Sequence, residues 1–255
     1  WALWNLCEHY KWTRDREWLV SVAPKLVAAC DWITREREAT KVMNPDGTRP
    51  VEWGLAPAGD LEDVEEYLYF YATNAYYYIG LRSTAEVLAE IGHPEAARLA
   101  KDADDYKADI MESVRESVAT SPVVRLKDGT YVPYVPPRAY ALTHQKEGWI
   151  REGLYPALHL LDANLVEPHH PYMDWLLQDL EDNIFLSDES GYHVDDIRKQ
   201  FFDFGGFNLQ PNLLTNSFAH LRRDEVPNFL RVFWNECWAS LYPDTMCFAE
   251  WVRRF

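Results

Sequence analysis

The chain has 255 residues, 47% hydrophobic and 26% charged, a globular composition that excludes intrinsic disorder. The 25 Lys and Arg against 41 Asp and Glu leave a formal charge of −16 and a pI near 4.9. Such a surface repels a phosphate backbone and an anionic bilayer, and no window approaches the roughly 18 uninterrupted apolar residues of a membrane span. Nucleic acid and membrane are therefore not expected as partners, and the chain reads as a soluble, acidic protein.

In chain order, Trp1-Ala2-Leu3-Trp4 has the look of a helix side, and both ends of the sequence read as cuts from a longer chain. Trp18, Leu19, Val22, Leu26, Ala29 and Ile33 share one helical stripe, with Asp15 placed to cap it. The Pro-, Asp- and Gly-rich stretch Met43 to Gly59 interrupts the pattern. Helical spacing resumes at Leu61, Val64, Leu68 and Tyr71 and runs to Ile91, with Gly80 as a weak point. Gly92 and Pro94 punctuate the next boundary as a C′ glycine and an N1 proline. The stripe Leu99, Ala103, Tyr106, Ile110 and Val114 follows.

Between Pro122 and Pro137 the pattern changes to a β-hairpin near residues 123–132 that turns at Asp128-Gly129. Helices are then expected from Trp149 to Leu161, Tyr172 to Ile184, Pro211 to Leu221 and Glu225 to Leu241. The last carries Val226, Phe229, Leu230, Phe233 and Cys237 on one face. Short turns alternate with the long loops 43–60, 121–148, 187–208 and 242–250, the pattern of stacked helical hairpins whose function sits among the long loops. No fixed period supports a solenoid. The expected fold is all-α, an α/α toroid of helical hairpins in one catalytic-type domain over residues 1–255.

The 37 aromatic residues suit either a wide helical core or the half-apolar, half-wet faces that sugars present. The four cysteines form no CxxC pair, which leaves buried free thiols as the plain reading. His169 and His170 are adjacent and diverge on a helix, and no HExxH, phosphate-binding loop or GxSxG occurs. Neither a metal nor a cofactor is expected.

The run Trp18-Leu19 through Cys30-Asp31-Trp32-Ile33, the loop Glu52-Trp53-Gly54-Leu55, and Asn74 to Gly80-Leu81 followed by Ala85 to Gly92 resemble the six-hairpin glycosidase superfamily, with its glucoamylase-like and α-rhamnosidase-like members. That resemblance implies a toroid, carbohydrate as substrate, and inverting hydrolysis. In glucoamylase-like members a Trp-Glu pair in such a loop supplies the acid; here the order is Glu52-Trp53. The same members place a base glutamate in a late loop, and Pro243 to Trp251, with Glu250, is similar in character. Four hairpins against six would make this a truncated or divergent ring.

Glycoside hydrolysis needs one carboxyl to donate and another to activate water or attack. Glu52, beside Trp53, is the candidate acid, and Glu250, between Phe248 and Trp251, the candidate base. Asp60 and Glu62 are read either as first-turn acids of a helix or as partners for sugar hydroxyls. Arg151 and Glu152, after Trp149, form either an ion pair or part of the same pocket mouth. Asp203, among Phe residues and glycines, is either a turn acid or one with an altered pKa. With Trp53, Trp149 and Trp251 these complete the candidate substrate-binding set. A sugar epimerase or isomerase on the same architecture, and a non-catalytic helical module that binds a glycan or a protein, are the alternatives.

Overall fold

The computed structural model describes residues 1–61, 64–144, 157–184, 215–242 and 244–248. The protein is mostly helical, with eight α-helices and three short antiparallel strand pairs among the described residues. The backbone divides into two compact units. The first comprises Trp1–Ser117, Arg138–Tyr140 and Ala163–Leu165, and the second Val118–Pro137, Ala141–Asp162 and Val166–Phe255.

The first unit opens with α1 (Ala2–Thr13) and α2 (Arg16–Glu38), joined at Arg14, whose φ of 56° ends α1 in the left-handed region. Asp15 caps α2 by accepting the Trp18 amide at 2.9 Å. Helix α3 (Tyr71–Glu90) packs against both. Cys7 and Tyr10 of α1, Leu19 and Leu26 of α2 and Val87 of α3 form one core cluster. Gly80 has a positive role here. A β-carbon at that position would come within 2.9 Å of the Leu3 Cβ, so the bare backbone is what lets α1 approach α3 closely. Arg16 binds the Glu90 and Ile91 carbonyls at the end of α3, and Gly92 follows with φ 71°. Helix α4 (Ala96–Thr120) buries the whole stripe Leu99, Ala103, Tyr106, Ile110 and Val114.

One expectation is corrected. The segment from residue 59 to residue 68 is not the start of a helix. It forms β1 (Gly59–Leu61) and β2 (Val64–Leu68), an antiparallel pair, and α3 begins only at Tyr71. Leu61, Val64 and Leu68 match a helical stripe by spacing, but the run into α3 is rich in Tyr and Phe, residues that favour a pleated surface. Asp60 is therefore a strand residue and not a first-turn acid.

In the second unit, β3 (Val123–Arg125) pairs with β4 (Tyr131–Pro133) around the expected turn. Gly129 has φ 88°, and the Asp128 carboxylate accepts the Thr130 amide and hydroxyl at 2.8 and 2.7 Å. Trp175 packs on the cluster made by Val124, Leu126, Val132, Tyr134 and Ala141. The short α5 (His159–Asp162) precedes α6 (Pro171–Asp179), which His170 caps through Nδ1 and which runs into a π-helical turn, Leu180–Ile184. Helices α7 (Thr215–Arg222) and α8 (Val226–Ser240) form a hairpin with Asp224 at φ 60° in the turn. The two-residue strands β5 (Leu241–Tyr242) and β6 (Cys247–Phe248) complete it. A single hairpin was expected; among the described residues three strand pairs are present. The α8 face that carries Val226, Phe229, Leu230, Phe233 and Cys237 is half open, with Val226 and Leu230 exposed, while Val232, Asn235 and Glu236 are buried.

Among the described residues no helix is long and apolar enough to cross a membrane. Cys7 and Cys30 are buried free thiols, pushed up to about 11 and about 12 by burial.

Candidate functional site

The loop after α2 is built in two tight turns. In the first, Asp46 accepts the Thr48 amide and hydroxyl, and Gly47 has φ 82°. In the second, the Trp53 amide donates to the Pro50 carbonyl and the Leu55 amide to the Glu52 carbonyl, each at 3.0 Å, with Gly54 at φ 72°. This second turn carries Glu52. Buried side chains fix it from below. The Arg37 guanidinium, 2% exposed, donates through Nε to the Gly54 carbonyl, through Nη1 to the Asp102 carbonyl, and through Nη2 to Asp109. The Tyr106 ring lies 4.6 Å from the guanidinium carbon. Thr40 Oγ1 donates to the Leu55 carbonyl at 2.7 Å. Asn74, on α3, accepts the Ala56 amide and the Tyr106 hydroxyl, both at 2.7 Å, and donates to the Phe70 carbonyl. Each buried polar group in this floor is engaged, which makes the turn a rigid platform.

Glu52 accepts a hydrogen bond at Oε2 from the hydroxyl of Tyr140, 88 residues later. Tyr140 is 48% exposed and sits at φ 61°, in the left-handed region that a side chain disfavours. Its neighbours hold it there. Arg138 Nη1 donates to the Ala139 and Tyr140 carbonyls at 3.3 and 3.1 Å, and the Ala139 amide donates to the Tyr69 carbonyl at 3.0 Å. Burial, and then the Glu52 charge, push the Tyr69 phenol above the ordinary tyrosine range. Burial, followed by the Glu52 hydrogen bond and charge, raises Tyr140 further. The Trp53 ring is covered by Arg49, whose guanidinium carbon lies 4.8 Å from the ring centre. The arrangement can present a carboxylate to a ligand, with aromatic groups beside it.

Glu52 and Trp53 thus share one turn, and Asp60 is exposed on β1 of the same unit. Glu62, Trp149, Arg151, Glu152, Asp203, Glu250 and Trp251 lie outside the described residues. Tyr140 and Tyr69 escaped the sequence reading. The only available signal was the density of tyrosine in Tyr67 to Tyr78 and at 131–140, which composition alone does not distinguish from core.

A second polar cluster, in the second unit, also has no local motif. It lines a cleft of about 820 Å³ between the β3–β4 turn, α6 with its π-helical turn, and the α7–α8 hairpin. The His220 ring is buried, with Nδ1 2.7 Å from Glu225 Oε2 and Nε2 3.7 Å from Glu181 Oε1. The second distance is too long for a hydrogen bond. Arg231 pairs with Glu181, and Arg223 reaches Asp174 at 2.7 Å and Glu225 at 2.9 Å. Burial works against ionisation of Glu225, but hydrogen bonds from His220 and Arg223 outweigh it and hold the carboxyl below the ordinary range. Every acid of this trio has a cationic partner, which makes it a clasp between helices. Among the described residues no group of three or more His, Cys, Asp or Glu is placed to hold a metal ion. A scan against protein-family profiles and searches of curated proteins and of solved structures return no match to this chain.

Proposed function

We propose that this protein is a carbohydrate-active enzyme, an inverting glycoside hydrolase that uses two carboxyl groups on an α/α toroid. The observation that carries the reading is Glu52: a carboxylate on a turn locked from beneath by Arg37, Thr40 and Asn74, held by the Tyr140 hydroxyl and bordered by Tyr69 and Trp53. Rigid placement of a carboxyl among aromatic groups is what hydrolysis of a sugar acetal requires, because the rings stack on C–H faces while the carboxyl addresses hydroxyls or water. The helical scaffold and the resemblance to six-hairpin glycosidases support the same reading. Inversion needs room for a water, with carboxyl groups about 6.5–9.5 Å apart.

The test is a proton NMR time course with the full chain on a panel of aryl glycosides and oligosaccharides. The expected result is release of a reducing sugar whose first anomer is opposite to that of the substrate. Retention would overturn inversion. Conversion of a free sugar to its epimer without hydrolysis would favour the isomerase alternative. A blank across the panel, with saccharide binding intact, would leave the glycan-binding alternative.

A further inference from the structure

We infer that the cleft of the second unit binds a neutral saccharide, one of whose hydroxyls completes the hydrogen bonding of His220. Such a site goes beyond the hydrolase reading and is built from different residues.

The cleft, about 820 Å³, falls within the range of roughly 300–1,000 Å³ that small ligands occupy. His220 is one of its lining residues and is 4% exposed. Its Nδ1 lies 2.7 Å from Glu225 Oε2, and a carboxylate only accepts, so Nδ1 carries a proton. That contact fixes the ring with Nε2 toward Glu181, whose Oε1 stands 3.7 Å away, too far for a hydrogen bond. Among the described residues Nε2 has no hydrogen-bond partner. A buried polar atom without a partner is costly, and here it faces a cleft. Glu181 stands on the π-helical turn Leu180–Ile184, a rare feature that gathers at functional sites. The turn is pinned, because Asp182 accepts the Lys127 amide and Asn183 donates to Asp179, each at 2.9 Å.

A hydroxyl oxygen about 2.8 Å from both atoms fits a pair this far apart. It suits either state of the ring. Opposite a neutral His220 it donates to Nε2; opposite the imidazolium it accepts from Nε2 and donates to Glu181. Its entry moves Glu181, whose side chain is 31% exposed, and leaves the buried imidazole in place.

The lining selects the rest of the ligand. Arg231 is engaged by Glu181, and Arg223 by Asp174 and Glu225. An anion would therefore meet carboxyl groups with both guanidinium groups already held. Among the described lining residues only Leu126 and Leu177 have large apolar side chains, too little to cover a lipid or an aryl group. Thr130, Gln178 and Asn228 carry donors and acceptors side by side, the pairing that neighbouring sugar hydroxyls take.

The test is NMR of the full chain with isotope-labelled histidine. It is titrated to about 10 mM with glucose, galactose, mannose, rhamnose and xylose and their short oligomers, and separately with inorganic phosphate and putrescine. The expected result is a saturable shift of the His220 ring nitrogens with at least one neutral saccharide and none with phosphate or putrescine. Asn228→Ala and Gln178→Ala change exposed side chains on the cleft. Each is expected to weaken that saccharide about tenfold, the effect of one hydrogen bond, with the unfolding midpoint unchanged. A His220 signal that no saccharide moves would overturn the proposal. So would a shift with phosphate or putrescine alone, which would make the ligand charged, and so would undiminished affinity in both variants. None of these readings needs turnover: failure of the chain to cleave any glycoside would remove the hydrolase reading and leave this site standing.

Discussion

Gly54 lies so close to Asp109 that a β-carbon on it would come within 2.3 Å of the Asp109 Oδ2. Asp109 is also the partner of the buried Arg37 guanidinium, and Lys41 reaches the same oxygen at 3.2 Å. The turn carrying Glu52 therefore rests on a glycine, an arginine and an aspartate that must fit together. Gly54→Ala has to change both the left-handed backbone and the ion pair beneath it. The expected cost is roughly 2–4 kcal/mol in urea unfolding. Gly47→Ala is the control, since it shares a positive φ but has no atom within 4 Å of the added carbon. It should lose only about 1 kcal/mol.

Arg37→Ala removes the cation and leaves the Gly54 and Asp102 carbonyls without that donor. Loss of one member of a buried ion pair costs about 3–5 kcal/mol. Lys41 remains to neutralise Asp109, which places the expected loss near the lower end. A midpoint shift in chemical denaturation equal to that of an exposed-arginine control would show that the platform is not held in this way.

Asp15→Ala should cost about 1 kcal/mol, because the Trp18 amide at the start of α2 loses its acceptor. Asp15→Ser restores a capping oxygen and should recover most of that loss in thermal unfolding.

The second unit carries a pair whose pH effects oppose each other. Burial pushes the Asp162 carboxyl up to about 6, with Arg222 pulling the other way, and burial alone brings His159 down to about 4. A raised carboxyl contributes stability that is present below its unfolded value near 3.8 and is lost as pH rises through 6. A lowered histidine contributes stability that is present above 6.5 and is lost as pH falls through 4. Each effect is on the order of 3 kcal/mol, and over pH 4–6 they oppose each other. Asp162→Asn should therefore steepen the acid loss of stability, and His159→Gln should make stability rise as pH falls from 6 to 4. Parallel wild-type and variant profiles over that range would contradict the assignment.

Local chemistry was legible in the sequence and distant pairing was not. The Asp15 cap, the α4 stripe, the Gly92 terminus and the Asp128-Gly129 turn are set by residues within a few positions of each other, and each is where its spacing predicts. The β1–β2 pair was missed because three apolar residues satisfy a helical period as well as a strand in so short a run. Glu52 stood out by its setting beside Trp53, but its partner Tyr140 lies 88 residues away and is held by backbone contacts that no motif encodes. Arg37 and Asp109 carry no local signal of their pairing, which joins two helices 72 residues apart beneath the Glu52 turn. The His220 clasp draws on α6, α7 and α8 and has no spacing signature.

The most direct test of Glu52 as a reacting carboxyl is kcat and KM for the wild type and Glu52→Gln on the best glycoside found, with the unfolding midpoint of each protein measured alongside. A fall in kcat of about 10³-fold, with KM within a few-fold and the midpoint unchanged, is the predicted result. Equal turnover by the two proteins would contradict it.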